Sequence, residues 1–418
     1  MGRQGRIAHT MSVDFNPNAA ETIVDPYPGL ARLRADEPMH WNPVSRAWYL
    51  TRYDDVRAGF RDKRLSADRI RPFVEAQRDG PDGEEIGFLG EHISHWAVFN
   101  DPPRHTHLRG LMNKAFTTRR VEVLRAGVAE IVNGLIADWA DGDEIDFHHR
   151  FAYPLPATVI ALLLGVPQED VDHLKRWSDA LAQFVLTSKT NPEKYRVAAA
   201  ALKEMNAYFG DFLEQRRRDP GELVTDGLIS ATDEGDRLTA DELTASCILL
   251  LFAGHETTTQ LLANGLHALI RHPDQMANFR ENRHDAKFVK NAVEELLRFD
   301  GPSLTSPRIV AKDFELHGQV AKAGQRLWLW NAAANRDPAV FEDPERLNLR
   351  RPNADRHVTF GFGVHFCIGA PLAKLEAEVA FPILLERFSR FELVKPAQDW
   401  SDSYVSRGMT SLPVRVYR

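Results

Sequence analysis

The sequence predicts a mainly α-helical fold with a small β portion, and three observations carry that reading. Helical periodicity dominates from about Arg104 to Leu297, broken only at "YPLP", "GVPQED", "RRDPGE" and "TDEGDR", where turn and capping residues gather. The stretch "SPRIVAKDFELHGQVAKAGQRLWLWNAAANRDP" changes to short alternating runs with glycine turns, the pattern of strands. No Gly/Ser linker, low-complexity block or internal repeat divides the chain. Residues 21–418 therefore read as a single domain behind a flexible N-terminal segment, residues 1–20.

In chain order, "MGRQGRIAHTMSVDFNPNAA" has no apolar core and is read as neither a signal peptide nor an anchor, with Met1 or Met11 as the start. "AWYLTRYDDVRAGFRD" predicts a strand and a short helix, and "GPDGEEIGFLGEHISHW" a loop. After the strand region comes a coil rich in Pro, Arg and Asn. The glycine-rich loop "HVTFGFGVHFCIGAPLAK" follows, then a helix to about Phe388 with a local kink at Pro382. The closing "TSLPVRVYR" predicts an edge strand. The longest apolar run, "CILLLFAG", is far below the roughly 20 residues that span a bilayer. A net charge of -7 argues against nucleic-acid binding, and two cysteines cannot form a disulfide framework. The expectation is a cytoplasmic monomer without a membrane anchor.

Cys367 raises the functional question. It stands among Gly361, Gly363 and Gly369 at the mouth of a helix, where free N–H groups and the helix dipole favour thiolate. A buried structural cysteine is the commonest alternative. A nucleophile would need a His-Asn partner set that nothing here fixes, and zinc would need a second nearby cysteine. A single axial thiolate for a larger cofactor fits the glycine-rich flanks.

In Phe360, Gly363, Cys367 and Gly369 the loop resembles the haem loop of the cytochrome P450 family: phenylalanine, two residues, glycine, three residues, cysteine, one residue, glycine. Similarity to its bacterial soluble members runs over almost the whole chain. The resemblance implies the cytochrome P450 fold, with haem b between a long oxygen-activating helix and the cysteine-loop helix. Cys367 is then the thiolate ligand of the iron, with Phe360, Gly361 and Gly369 shaping the loop around it. Four residues match the family's haem-propionate partners: His105 and Arg109, four apart on one helix face, Arg308, and His365. Taken singly, each is more often a solvated surface group.

In "LLLFAGHETTTQLL", Ala253 and Thr257 share a helix face. The resemblance makes Ala253 a small residue against the haem. Glu256 and Thr257 become the acid–alcohol pair that delivers protons to dioxygen, a task needing a titratable group and a hydroxyl relay. A polar kink in a core helix is the plainer reading. His255 projects elsewhere, and Cys247 is expected to be core packing. Glu295 and Arg298, otherwise an ordinary i,i+3 surface pair, are expected to form a buried cluster with Arg346. Leu347 stands where the family commonly has phenylalanine.

The activity implied is a monooxygenase acting on a mainly hydrophobic small molecule. Two electrons come from a ferredoxin and ferredoxin reductase, since the chain has no flavin motif and too few cysteines for an iron–sulfur cluster. A haem-thiolate peroxygenase or isomerase, or a haem sensor, would not require the Glu256–Thr257 pair. Arg104, Lys114, Arg119, Arg120 and Lys374 form an expected basic donor surface. The pocket is expected to be lined by Phe88, Leu89, Trp96, Leu250, Ala253, Leu304 and Met409. Those stretches contain no cation, so a neutral substrate is expected, with Arg69 and Arg71 just upstream as the one reservation.

Overall fold

In the computed structural model, residues 13–185, 191–221, 223–233, 238–396 and 399–418 are described. The helix Ala240–Arg271 runs through their centre and is buried along most of its length. A capping box fixes its start. The Thr239 hydroxyl accepts from the Glu242 N–H at 3.2 Å, and the Glu242 carboxylate accepts from the Thr239 N–H at 3.0 Å. Helices Pro154–Leu164, Val171–Val185, Lys194–Arg218 and Ala286–Asp300 pack against it. At Gly254 the approach of Pro154–Leu164 is so close that a Cβ would lie 2.9 Å from Ile160 Cδ1. No helix among the described residues is long and apolar enough to cross a membrane.

The main sheet has five strands in the order Met39–Asn42, Ala47–Leu50, Arg326–Leu329, Ser306–Val310 and Leu65–Ser66. Only the pairing of Ala47–Leu50 with Arg326–Leu329 is parallel. It buries alternate side chains such as Leu50, Leu327 and Leu329 in a second core beside the helical one. The cysteine helix, Ala370–Arg387, runs through Pro382.

Three expectations change. The presumed loop near residue 90 contains the helix Gly83–Ile93, which buries Ile86, Leu89, Gly90 and Ile93 on one face. Gly90 is a packing position: a Cβ there would come within 2.2 Å of Val74 Cγ2 on the helix Ile70–Gln77. The presumed edge strand Pro413–Tyr417 is central, between Glu144–Asp146 and Arg390–Leu393. Of the N-terminal segment, residues 1–12 lie outside the described residues. Phe15 is buried edge-on against Tyr49 and Trp330, at 6.1 and 5.6 Å, so ordered packing begins before residue 21.

Candidate active site

Cys367 lies where a tightly closed loop meets the N-terminus of the cysteine helix. Its N–H donates to the Phe360 carbonyl at 2.9 Å, and the Gly361 N–H donates to Val358 at 2.9 Å. Gly361 and Gly363 have φ of 72° and 73°, left-handed values that strain any side chain. Burial holds the Cys367 thiol above its ordinary pKa, while the Gly369 and Ala370 N–H groups and the Arg109 guanidinium pull it down. A metal ion on the sulfur would replace that proton. Cys247 differs: it is wholly buried, its thiol pushed up to about 12 by desolvation alone, and it is an inert core residue.

The four candidate propionate partners come from one helix, one strand and the loop. His105 and Arg109 lie on the helix Arg104–Ala115. The His105 ring is 4.1 Å from that of His365, and Arg109 Nη2 donates to the Phe366 carbonyl at 2.6 Å. Arg308, on Ser306–Val310, is buried over the Phe60 ring at 5.4 Å. Its one hydrogen bond among the described residues goes to the Pro307 carbonyl at 2.9 Å. His105 Nδ1 is buried without a partner. Burial depresses His105 and takes Arg308 to about 10, and burial together with the neighbouring His105, Arg308 and Arg109 takes His365 to about 3. A group of donors this poor in acids suits a ligand bearing carboxylates.

On the long helix, Ala253 and Thr257 are exposed while Phe252, His255, Thr258 and Thr259 are buried. One open strip therefore runs along an otherwise enclosed helix. The Thr257 hydroxyl donates to the Ala253 carbonyl at 3.1 Å, the back-bond expected of it. Glu256 is surrounded by protein yet retains 19% exposure, and burial followed by the nearby Asp179 charge raises its carboxyl to about 8. Asp179 accepts from the Tyr153 hydroxyl at 2.7 Å and is itself raised, chiefly by desolvation. His255 is buried edge-on against the Tyr153 ring at 4.3 Å, and burial takes it down to about 3. It is a neutral packing residue.

The Glu295–Arg298 pair is fully buried, with Arg298 Nε and Nη2 donating to the carboxylate at 2.6 and 2.9 Å. Its third member is Arg351, correcting the expectation of Arg346. Arg351 Nε reaches both Glu295 oxygens at 3.1 Å, whereas Arg346 contributes only its backbone carbonyl, to Arg298 and Arg351. Two further residues tie this coil to the cysteine loop. Asn335 donates to Thr359 Oγ1 at 2.8 Å and accepts from the Val358 N–H at 2.7 Å, and the Thr359 hydroxyl donates to the Leu297 carbonyl at 2.7 Å.

The presumed basic surface is partly neutralised. Arg104 pairs with Glu242 at 3.4 Å and Lys374 with Glu294 at 2.8 Å; Lys114 and Arg119 are exposed. Sequence reasoning missed Arg57 and Arg61, four apart in "RYDDVRAGFRD", whose guanidiniums lie 4.3 and 4.2 Å from the Phe362 ring. With Arg356 they line a cleft of about 480 Å³ beside Gly361 and Phe366.

Among the presumed pocket residues, Leu89, Trp96, Leu250, Leu304 and Met409 are buried, Phe88 is half-buried and Ala253 is exposed. Trp96 stacks on Phe99 at 6.0 Å and meets Phe252 at 5.6 Å, making an aromatic wall next to Ala253. Arg71 is satisfied at the surface by Asp68 at 2.8 Å, whereas Arg69 is enclosed with no such partner.

A flat macrocycle with two carboxylates fits these residues. Cys367 offers the thiolate, the Ala253–Thr257 strip a narrow flat face, and Arg109, Arg308 and the two histidines the acid-binding groups. Comparison with known proteins agrees. The cytochrome P450 family profile matches residues 49–411. The chain is similar to the cytochrome P450 monooxygenase PikC of Streptomyces venezuelae, at 39% identity over 99% of this chain and 96% of that one. It is also similar to the 6-deoxyerythronolide B hydroxylase of Saccharopolyspora erythraea, at 38% identity over 94% of this chain and 96% of that one. The solved structure of the Bacillus subtilis bacillaene polyketide synthase cytochrome P450 PksS superposes with a TM-score of 0.85 at 34% identity, covering 97% of this chain and 100% of that one.

Proposed function

The chain belongs to the cytochrome P450 family and is a haem b monooxygenase, and we propose that it hydroxylates a mainly hydrophobic small molecule of polyketide type with electrons from a ferredoxin. The observation that carries the oxygen-dependent reading is the Glu256–Thr257 pair on the open strip of the long helix. Haem, when bound through a thiolate, supplies reductive activation and cleavage of O₂. The chain's own part is positional and protic. Cys367 would be the ligand, while His105, Arg109, Arg308 and His365 would hold the propionates. Phe360, Gly361 and Gly369 shape the loop, and Ala253 keeps the facing helix low. Glu256, neutral below about pH 8, holds a proton next to Thr257, whose hydroxyl passes it on.

The names of the polyketide biosynthesis cytochrome P450 PksS and the 6-deoxyerythronolide B hydroxylase support a polyketide substrate class, and the Phe252–Trp96–Phe99 wall supports an apolar one. The Arg57–Arg61–Arg356 cleft, near the loop that carries Cys367, supports an acidic electron donor, whose reduction rate should fall as salt screens the attraction. The deciding experiment is turnover under ¹⁸O₂ with a ferredoxin, its reductase and NADPH. One labelled oxygen in the product is expected. Turnover with peroxide but none with O₂ and electrons would turn the reading toward a peroxygenase.

A further inference from the structure

Arg69 is the cation the mechanism leaves unused. It is enclosed by protein, keeps part of its surface open, and makes no hydrogen bond or ion pair among the described residues. Its guanidinium lies 4.9 Å from the centre of the Phe99 ring. That ring stacks on Trp96, and Trp96 meets Phe252, the residue before Ala253. Arg69 thus caps the outer end of the aromatic wall whose inner end is the oxygen-activating helix. Its charged neighbour is Arg308, a like charge, and burial with that repulsion lowers it to about 10. The carboxylate that acts on Arg308, Asp101, accepts from the Ser66 hydroxyl and the Ala67 N–H, and among the described residues no carboxylate acts on Arg69.

Haem has two propionates, and two guanidiniums, Arg109 and Arg308, are already assigned to them in the proposed function. A third enclosed guanidinium without an acid is costly unless an anion reaches it. Arg69 precedes the helix Ile70–Gln77, whose Phe73 packs near Phe184 and Tyr195 at 6.1 and 6.4 Å, on the helices Val171–Val185 and Lys194–Arg218. It therefore belongs to the helical cover over the long helix, and the cysteine loop contributes none of those contacts.

We propose that Arg69 is a specificity-determining residue that anchors a carboxylate, or an anion of like geometry, on the end of an otherwise apolar substrate. This rests on the monooxygenase reading and replaces the neutral substrate that the sequence suggests: an apolar body lies along the Phe99–Trp96–Phe252 wall while its acid end pairs with Arg69.

The test uses purified holoenzyme whose reduced, CO-bound spectrum is of thiolate type, so that failure of the haem-thiolate reading is seen first and separately. Dodecanoic acid and methyl dodecanoate are titrated at pH 7.5, following the ferric spectral shift, in wild type, Arg69→Leu and Arg69→Lys. Haem transfer to apomyoglobin is timed for each. The expected result is acid bound at least 10-fold tighter than ester in wild type, with that preference lost in Arg69→Leu and partly restored in Arg69→Lys, at unchanged haem transfer. Absence of acid preference in wild type, whether both probes bind alike or neither shifts the spectrum, overturns the proposal. So does an Arg69→Leu variant that releases haem faster while weakening acid and ester equally, which would make Arg69 a propionate partner.

Discussion

Behind Cys367, the coil from Asn335 to Arg351 is held by directed polar contacts. Arg298 and Arg351 donate to the backbone carbonyls of Asn335, Glu342, Asp343, Pro344 and Arg346, and Glu295 neutralises both guanidiniums while accepting from the Asn348 N–H at 2.9 Å. Across the site, the wall of Trp96, Phe99, Phe252 and Leu250 is held by apolar contact, and Trp96 Nε1 is buried without a partner. The difference follows from what each side must do. A metal ligand needs one position, and directional bonds with a buried charge cluster enforce one. A wall proposed to face substrates needs shape and apolar area, which rings supply while tolerating exchange of one hydrophobe for another.

Breaking the polar side at the ligand itself should have the largest effect. Cys367→Ser is expected to abolish the thiolate-type absorption of the reduced, CO-bound protein, and Cys247→Ser to leave it intact; absorption spectra of the two variants decide this. Next, Glu295→Ala leaves two buried guanidiniums uncompensated, a loss on the order of 3–5 kcal/mol. Leu250→Ala on the opposite wall costs about 2–5 kcal/mol through its cavity. The energies overlap, but the spectra should not. With denaturation midpoints measured alongside, Glu295→Ala should lose the thiolate band, and Leu250→Ala should keep it and change only substrate-induced shifts. Equal spectral damage in both would erase the distinction between the walls.

A smaller effect is expected where the two sides meet in function. Thr257→Ala should bind haem and substrate and accept electrons while releasing peroxide in place of product. Product yield per NADPH consumed is the measurement; an unchanged yield removes Thr257 from the proton path.

How legible this was in the sequence differs between regions. The Cys367 loop is a local motif, and its residues lie together because they are adjacent in the chain. The charge cluster was half legible. Glu295 and Arg298 share a helix face, but "FEDPERLNLRRP" offers arginines at 346, 350 and 351. Which one turns inward depends on a turn in irregular coil, where Asn348 bonds to Glu295 and the Arg351 N–H to the Asn348 carbonyl. Periodicity is silent on such a turn. The helix Gly83–Ile93 was hidden because its glycines look like turn markers, although Gly90 is there to admit Val74. Asp179 carries no local sign of its role, because it meets Glu256 only through the packing of two helices.

That last contact gives the finest test. Glu256 is raised from an ordinary 4.5 to about 8, first by burial and then by the Asp179 charge. Its carboxyl therefore holds a proton in the folded protein across a range in which the unfolded chain has lost it. Product yield per electron should be level below pH 8 and decline as pH rises through it, because the carboxylate can no longer donate. Stability follows the same sign: the folded state binds the extra proton, so this group's contribution is present below about pH 4.5 and is lost as pH rises through about 8. Asp179→Asn removes a negative charge that disfavours the Glu256 carboxylate. The Glu256 pKa should then fall, and the declining limb of the yield should move to lower pH while its level below the limb is kept. Glu256→Gln should show a low yield without that limb. Yield measured from pH 6 to 9.5 in the three proteins settles the matter: a limb that stays in place in Asp179→Asn shows that burial alone sets the Glu256 pKa, and a limb that persists in Glu256→Gln assigns it to another group.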